Sequence, residues 1–136
     1  MVWKGWLIDK SLRKKGILGK FNIIDSFTER NKEGDKVRIW RLNVVEVADK
    51  DMNRIVKNLE KIIKLGYYVH FTDRKNLIII FSGRSFRIKL RKVLKETKFG
   101  AVKFKADPKS LKNWKAALEY GTEKGRVDPR YVISVV

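Results

Sequence analysis

The side chains able to do chemistry are few and mostly isolated. Histidine occurs once, at His70, and cysteine is absent. A lone imidazole can serve as a general acid or base, or as one metal ligand. Without thiols or a second histidine it cannot build an ordinary tetrahedral zinc site. His70 stands between Val69 and Phe71 in a strand-like segment, with Tyr68 on its own face. Tyr68 and His70 are therefore the candidate pocket residues, against the competing reading of a packed, hydrogen-bonded histidine. Asp73 together with Asp49 or Asp51 can gather carboxylates for a hard cation, but all three fall at predicted caps and turns, where aspartate is favoured anyway. Ser82-Gly83-Arg84-Ser85 combines a tight turn with an arginine and two hydroxyls, enough to hold one phosphate; a plain hairpin turn is the preferred reading. No phosphate-binding loop, dinucleotide-binding glycine pattern, nucleophile elbow or metalloprotease helix motif occurs. No catalytic residue, metal ligand or cofactor is assigned.

The one feature with a sharp physical consequence is charge. Lysine and arginine number 33 against 15 acids, a net charge of +18. Residues 84–115 carry twelve of these bases and two acids, Glu96 and Asp107, for +10, while residues 116–136 balance to zero. Concentrated like charge repels itself and costs stability unless a partner neutralises it. Arg84, Arg87, Lys89, Arg91, Lys92, Lys95, Lys103, Lys105, Lys109 and Lys112 are the candidate nucleic-acid-binding residues. Arg87 and Lys89 point the same way from one strand about 6.8 Å apart, at ~3.4 Å per residue, a spacing compatible with successive phosphates. The absence of cysteine and glutamine beside abundant lysine also matches a thermophile's composition, which explains lysine content but not the excess of bases over acids.

The four tryptophans admit two readings. Exposed, they stack on bases or form a partner surface; buried, they are core. Trp40 and Trp114 fall on predicted apolar faces and read as core. Trp3 and Trp6, in an end segment, also suit a protein-partner or self-association surface.

The elements that must position these groups are legible from periodicity. A short extended piece carries Trp3 and Trp6, and a turn or two of helix follows, with Asp9 as N-cap and Gly16 past its end. A strand over 21–27, a turn at 31–35 and a strand over 37–47 form a hairpin. The phase of the second strand becomes unclear near Val45, which marks a bulge. Met52, Ile55, Val56, Leu59, Ile62 and Ile63 make one apolar stripe, predicting a helix over 51–65 with Asp49 or Asp51 capping it and Gly66 stopping it. Strands follow over 67–72, 77–81 and 84–90, the middle one apolar throughout and so covered on both faces. Leu90, Val93 and Leu94 suggest the start of a short helix. Val102 and Phe104 suggest a last short strand. Asp107-Pro108 opens a helix that runs to about Tyr120, with Leu111, Trp114 and Leu118 on its core face and Gly121 ending it. The tail from 131 to 136 adds a short strand or packs as coil. The predicted fold is a single α+β domain over residues 1–136, with a mixed or mainly antiparallel sheet of about five to six strands and two main helices packed on one side.

Trp3-Lys4-Gly5-Trp6, Gly66-Tyr67-Tyr68-Val69-His70-Phe71, and Trp114 followed by Glu119-Tyr120-Gly121 together resemble a family of small archaeal and bacterial proteins of unknown function. Its members read roughly W-x-G-W, G-W-Y-x-H-F and W-x-x-A-x-x-Y-G. The resemblance implies no activity. Its members pass more directly from the strand near Phe86 to the final helix, so 90–106 reads as a lysine-rich extension of this branch. No stretch approaches the ~18 consecutive apolar residues of a membrane span, and the start lacks the apolar core of a signal peptide, so no membrane partner and a cytoplasmic location are expected. Three functions follow in order: a non-enzymatic nucleic-acid (RNA or DNA) or other polyanion-binding module acting through 84–115, a protein-interaction or homo-oligomeric assembly domain, and an enzyme with a pocket around His70.

Overall fold

The computed structural model describes residues 2–33, 36–97, 100–129 and 132–136, and within these ranges not the side chains of 15, 18, 20, 29, 31–33, 36–38 and 40. Eight strands form one sheet in the order β2-β3-β1-β4-β5-β6-β7-β8. They are β1 Val2–Ile8, β2 Asn22–Glu33, β3 Lys36–Ala48, β4 Tyr68–Thr72, β5 Asn76–Phe81, β6 Arg84–Thr97, β7 Gly100–Ala106 and β8 Ser134–Val135. Every pairing is antiparallel except β7 with β8. The helices are α1 Met52–Ile62 and α2 Leu111–Glu123. The α+β class, the mainly antiparallel sheet and the two main helices are as expected. The strand number exceeds five to six because the end segment is a full strand between β3 and β4 and the tail supplies β8. The strand suggested at Val102 and Phe104 is β7, whereas residues 90–97 continue β6 rather than starting a helix.

That second difference has a local cause. The alternation that stops at Leu90 is interrupted by three register shifts in the β6–β7 pairing, with Arg91 and Leu94 as extra residues on β6 and Val102 as one on β7. Each extra residue displaces the inward-outward phase, so an irregular apolar spacing reads as helix onset although the backbone stays extended. The bulge expected near Val45 is on the opposite strand: Ile23 pairs with Val45 and Asp25 with Val44, leaving Ile24 as the extra residue. Residues 34 and 35 of the turn expected at 31–35 lie outside the described residues, as does the side chain of Trp40. After β1, Asp9–Ser11 and Lys15–Lys20 are 3-10 turns rather than one capped helix, and the Asp9 carboxylate accepts from the Asn43 amide.

β5 is buried at every position from Leu77 to Phe81, as its unbroken apolar run predicts. Its alternation divides the core in two and refines the placement of the helices. Ile78 and Ile80 meet Met52, Ile55 and Leu59 of α1, while Leu77, Ile79 and Phe81 meet Ala117 of α2. The helices thus cover different faces of β5 and come together at its end. There the Gly83 amide donates to the Glu60 carbonyl of α1, and the Tyr120 hydroxyl of α2 donates to the Ser82 carbonyl. Gly121 does not end α2, which continues to Glu123. It is glycine because an added Cβ would stand 2.4 Å from the Phe81 ring.

The sheet curls strongly. β4 and β7 are three positions apart in strand order, which in a flat sheet is about 14 Å at ~4.8 Å per spacing. Yet the His70 Nε2 of β4 lies 3.0 Å from the Ala101 carbonyl of β7. Gly100 rests on the Trp6 indole so closely that a Cβ would fall 2.0 Å from it, and its φ of +107° suits glycine alone. The β6–β7 hairpin therefore folds over the inner face of β1 and β4 and closes that core with Ala101, Phe104 and Ala106. The lysine-rich segment is part of the core's wall.

Candidate nucleic-acid interface

On β7, Phe104 and Ala106 point into the core, so the intervening Lys103 and Lys105 point out, and both are exposed. The register sets Lys105 opposite Lys92 and Lys103 opposite Lys95, with Val93 and Phe104 facing inward between the two pairs. Directly opposed residues have Cβ atoms about 5 Å apart, a separation at which like charges destabilise a strand pair. Four exposed lysines thus share one patch on the outer side of the hairpin. Arg87 and Lys89, out of phase with the buried Ile88 and Leu90, extend the same outer side along β6.

The acids that belong to this stretch are engaged elsewhere. Glu96 pairs with Arg74, and the Asp107 carboxylate accepts from the Lys109 amide at the start of the α2 approach. Among the described residues no carboxylate lies within ion-pairing distance of Lys92, Lys95, Lys103 or Lys105; the ion pairs there are Arg54–Asp51 and Arg74–Glu96.

Not all ten candidates join the patch. Arg84 is on the inner side, its guanidinium 4.6 Å from the Phe86 ring centroid and 5.7 Å from that of Tyr120. Lys109 and Lys112 are exposed beside and on α2, whose packed residues serve the inner core. Arg91 is exposed at the first bulge. Arg87 reaches back over the Trp3 indole, 5.4 Å from its ring, a cation–π contact that no local pattern announces.

The indoles expected at a partner surface are buried. Trp3 is 1% exposed, with its Nε1 donating to the Asp49 carboxylate at 2.8 Å, and Trp6 is 9% exposed, stacked on His70 at 4.9 Å between ring centroids. Trp114 is half-buried against the inner core. The candidate pocket residues are also packed. His70 is enclosed by Trp6, Tyr68 and Phe104, and since Ala101 offers only a carbonyl, its Nε2 carries the proton. Burial pushes the imidazole down to about 4, against a smaller opposing effect of the bond to Ala101. Burial pushes Tyr68 up to about 12, where its oxygen accepts from the Ile133 amide.

The other chemical candidates are similarly occupied. Ser85 donates to the Glu60 carboxylate, and the Gly83 amide is taken by the Glu60 carbonyl, so the 82–85 turn is joined to α1. Asp73 accepts from the amides of Lys75 and Asn76 within its own turn. A groove of about 450 Å³ runs over Trp6 between β2 and the hairpin, and its rim mixes Lys4 and Arg74 with Asp25, Asp73 and Glu96. No helix among the described residues is long and apolar enough to cross a membrane.

The first two motifs of the family resemblance meet as packing, and the third packs on the end of β5. Gly5 pairs with Phe71 and Trp6 with His70, and a Cβ on Gly5 would stand 2.2 Å from the Phe71 ring. Tyr120-Gly121 seats α2 on Phe81 and Ser82. Compared with family models, with curated proteins and with solved structures, the chain matches none.

Proposed function

We propose that this protein is a non-enzymatic nucleic-acid-binding module, acting in the cytoplasm, whose contact surface is the outer side of β6 and β7. The observation that carries the reading is the cross-strand pairing of Lys92 with Lys105 and of Lys95 with Lys103, without a neutralising acid among the described residues. Such pairs weaken the free protein, and a polyanion that neutralises them gives the arrangement a use. Arg87 and Lys89 lengthen the surface in the same direction. Affinity comes from release of counterions condensed on the phosphates, and with no base-reading groups assigned, sequence preference is small.

A salt titration of binding to mixed cellular RNA and DNA tests this. Log affinity should fall linearly with log salt, with a slope of about −3.6 for four phosphates neutralised on a duplex. Replacing Lys92, Lys95, Lys103 and Lys105 by glutamate should abolish binding at low salt while the fold persists. Absence of binding by the unmodified chain at ~50 mM salt would sink the proposal.

A further inference from the structure

We infer that the nucleic acid taken by this face is double-stranded, a conclusion that rests on the proposed function and narrows its ligand. Proteins that hold single strands combine a basic groove with aromatic side chains on which successive bases stack. Among the described residues this face has neither. The large apolar side chains exposed among the described residues are all aliphatic, and the described indoles and phenyl rings are core or half-buried against it. The grooves that include an aromatic side chain, one over Trp6 and one beside Phe21, are lined by none of Arg87, Lys89, Lys92, Lys95, Lys103 or Lys105, and acids offset the bases in each.

What the face offers is density of charge on a firm support. Lys103 and Lys105 are two residues apart, about 7 Å, and the facing strand is ~4.8 Å away. Four cations therefore stand in a small area, backed by Phe104 and Ala106, which are nearly fully buried. A duplex presents one phosphate per ~1.7 Å of axis, twice the linear density of either strand alone. A surface that bonds only to phosphate gains most from the denser polyanion. The counterion release per contact is also larger, about 0.9 for a duplex against about 0.7 for a single strand. Over four contacts, and from equal affinity at 1 M salt, that difference amounts to about tenfold in favour of the duplex at ~50 mM salt.

The test uses the full chain and fluorescence anisotropy with three labelled probes: a mixed-sequence DNA duplex of about two helical turns, the matching RNA duplex, and an unstructured oligothymidylate of equal length. At least one duplex should bind about tenfold more tightly than the single strand at ~50 mM salt, with the steeper salt slope. The tighter of the two duplexes identifies DNA or RNA as the source. Lys92→Glu with Lys105→Glu should remove the duplex preference. A single strand bound as tightly as both duplexes overturns the inference and leaves nucleic-acid binding standing. Failure of all three probes to bind overturns the proposed function itself.

Discussion

At the residue scale, the side chain with the greatest apparent chemical promise is used for packing. His70 is neutral in the fold because burial disfavours its charged form. An unfolded histidine titrates near 6.5 and the folded one near 4, so between these values the unfolded chain binds more protons. Stability from this group is full above pH 6.5 and is lost as pH falls through the window, by on the order of 3 kcal/mol. Urea unfolding at pH 7.0 and 4.5 should show this loss in the native protein, and His70→Gln should lose correspondingly less between the same two pH values. Equal losses in the two proteins would mean that the imidazole is not buried neutral. Gly121 makes a second residue-scale case. Alanine in a helix interior ordinarily gains about 1 kcal/mol over glycine. Here the new methyl meets the Phe81 ring, and overpacking costs about 1–3 kcal/mol. Gly121→Ala should therefore destabilise by denaturant titration, and adding Phe81→Leu should relieve part of that penalty; a more stable single variant would contradict the contact.

At the scale of elements, the β6–β7 hairpin does two jobs that pull against each other. Its inner residues close a core, and its outer residues crowd like charges. Lys103→Glu converts one repulsive cross-strand pair into an attractive one. It should raise stability by about 0.2–1 kcal/mol at low salt, with the gain shrinking as salt screens the charges. The same substitution should weaken duplex binding. A stability gain coupled to a binding loss is what a surface kept for a ligand gives, whereas a merely cationic surface shows the gain alone. The native protein's melting temperature should likewise rise between low and physiological salt, measured by differential scanning calorimetry.

At the scale of the whole molecule, strand order sets where the charge stands. The basic hairpin is near one end of the sheet and the mixed-charge β2–β3 hairpin forms the other. Curling brings Gly100 of the basic hairpin back onto β1 without turning Lys92, Lys95, Lys103 or Lys105 inward, because the inward positions are taken by Ala101, Phe104 and Ala106. On the proposed function, a polyanion bound along β6 and β7 would stabilise the element that closes the inner core. Saturating duplex at a hundred times its dissociation constant should stabilise the fold by about 2.7 kcal/mol, read as a shift in the thermal or urea midpoint. No shift with a ligand bound at that saturation would mean that binding does not depend on the folded hairpin.

The amino-acid sequence alone determined the α+β class, the α1 stripe, the doubly covered β5, the Asp107-Pro108 helix start and the local excess of charge. Each is a pattern written within a few residues, by a period of 3.6 or 2, a proline, or a count of lysines. Only the tertiary structure decided that 90–97 is strand, because bulges shift phase without leaving a distinctive residue type. It alone decided that Trp3 and Trp6 are core rather than surface, that His70 reaches Ala101 thirty-one residues away, and that Arg84, Lys109 and Lys112 leave the cationic face while Lys92, Lys95, Lys103 and Lys105 share it. Those outcomes depend on strand order, register and curl. They arise from contacts between segments far apart in the chain, where the free energy of burying apolar area selects one arrangement and no local pattern records which.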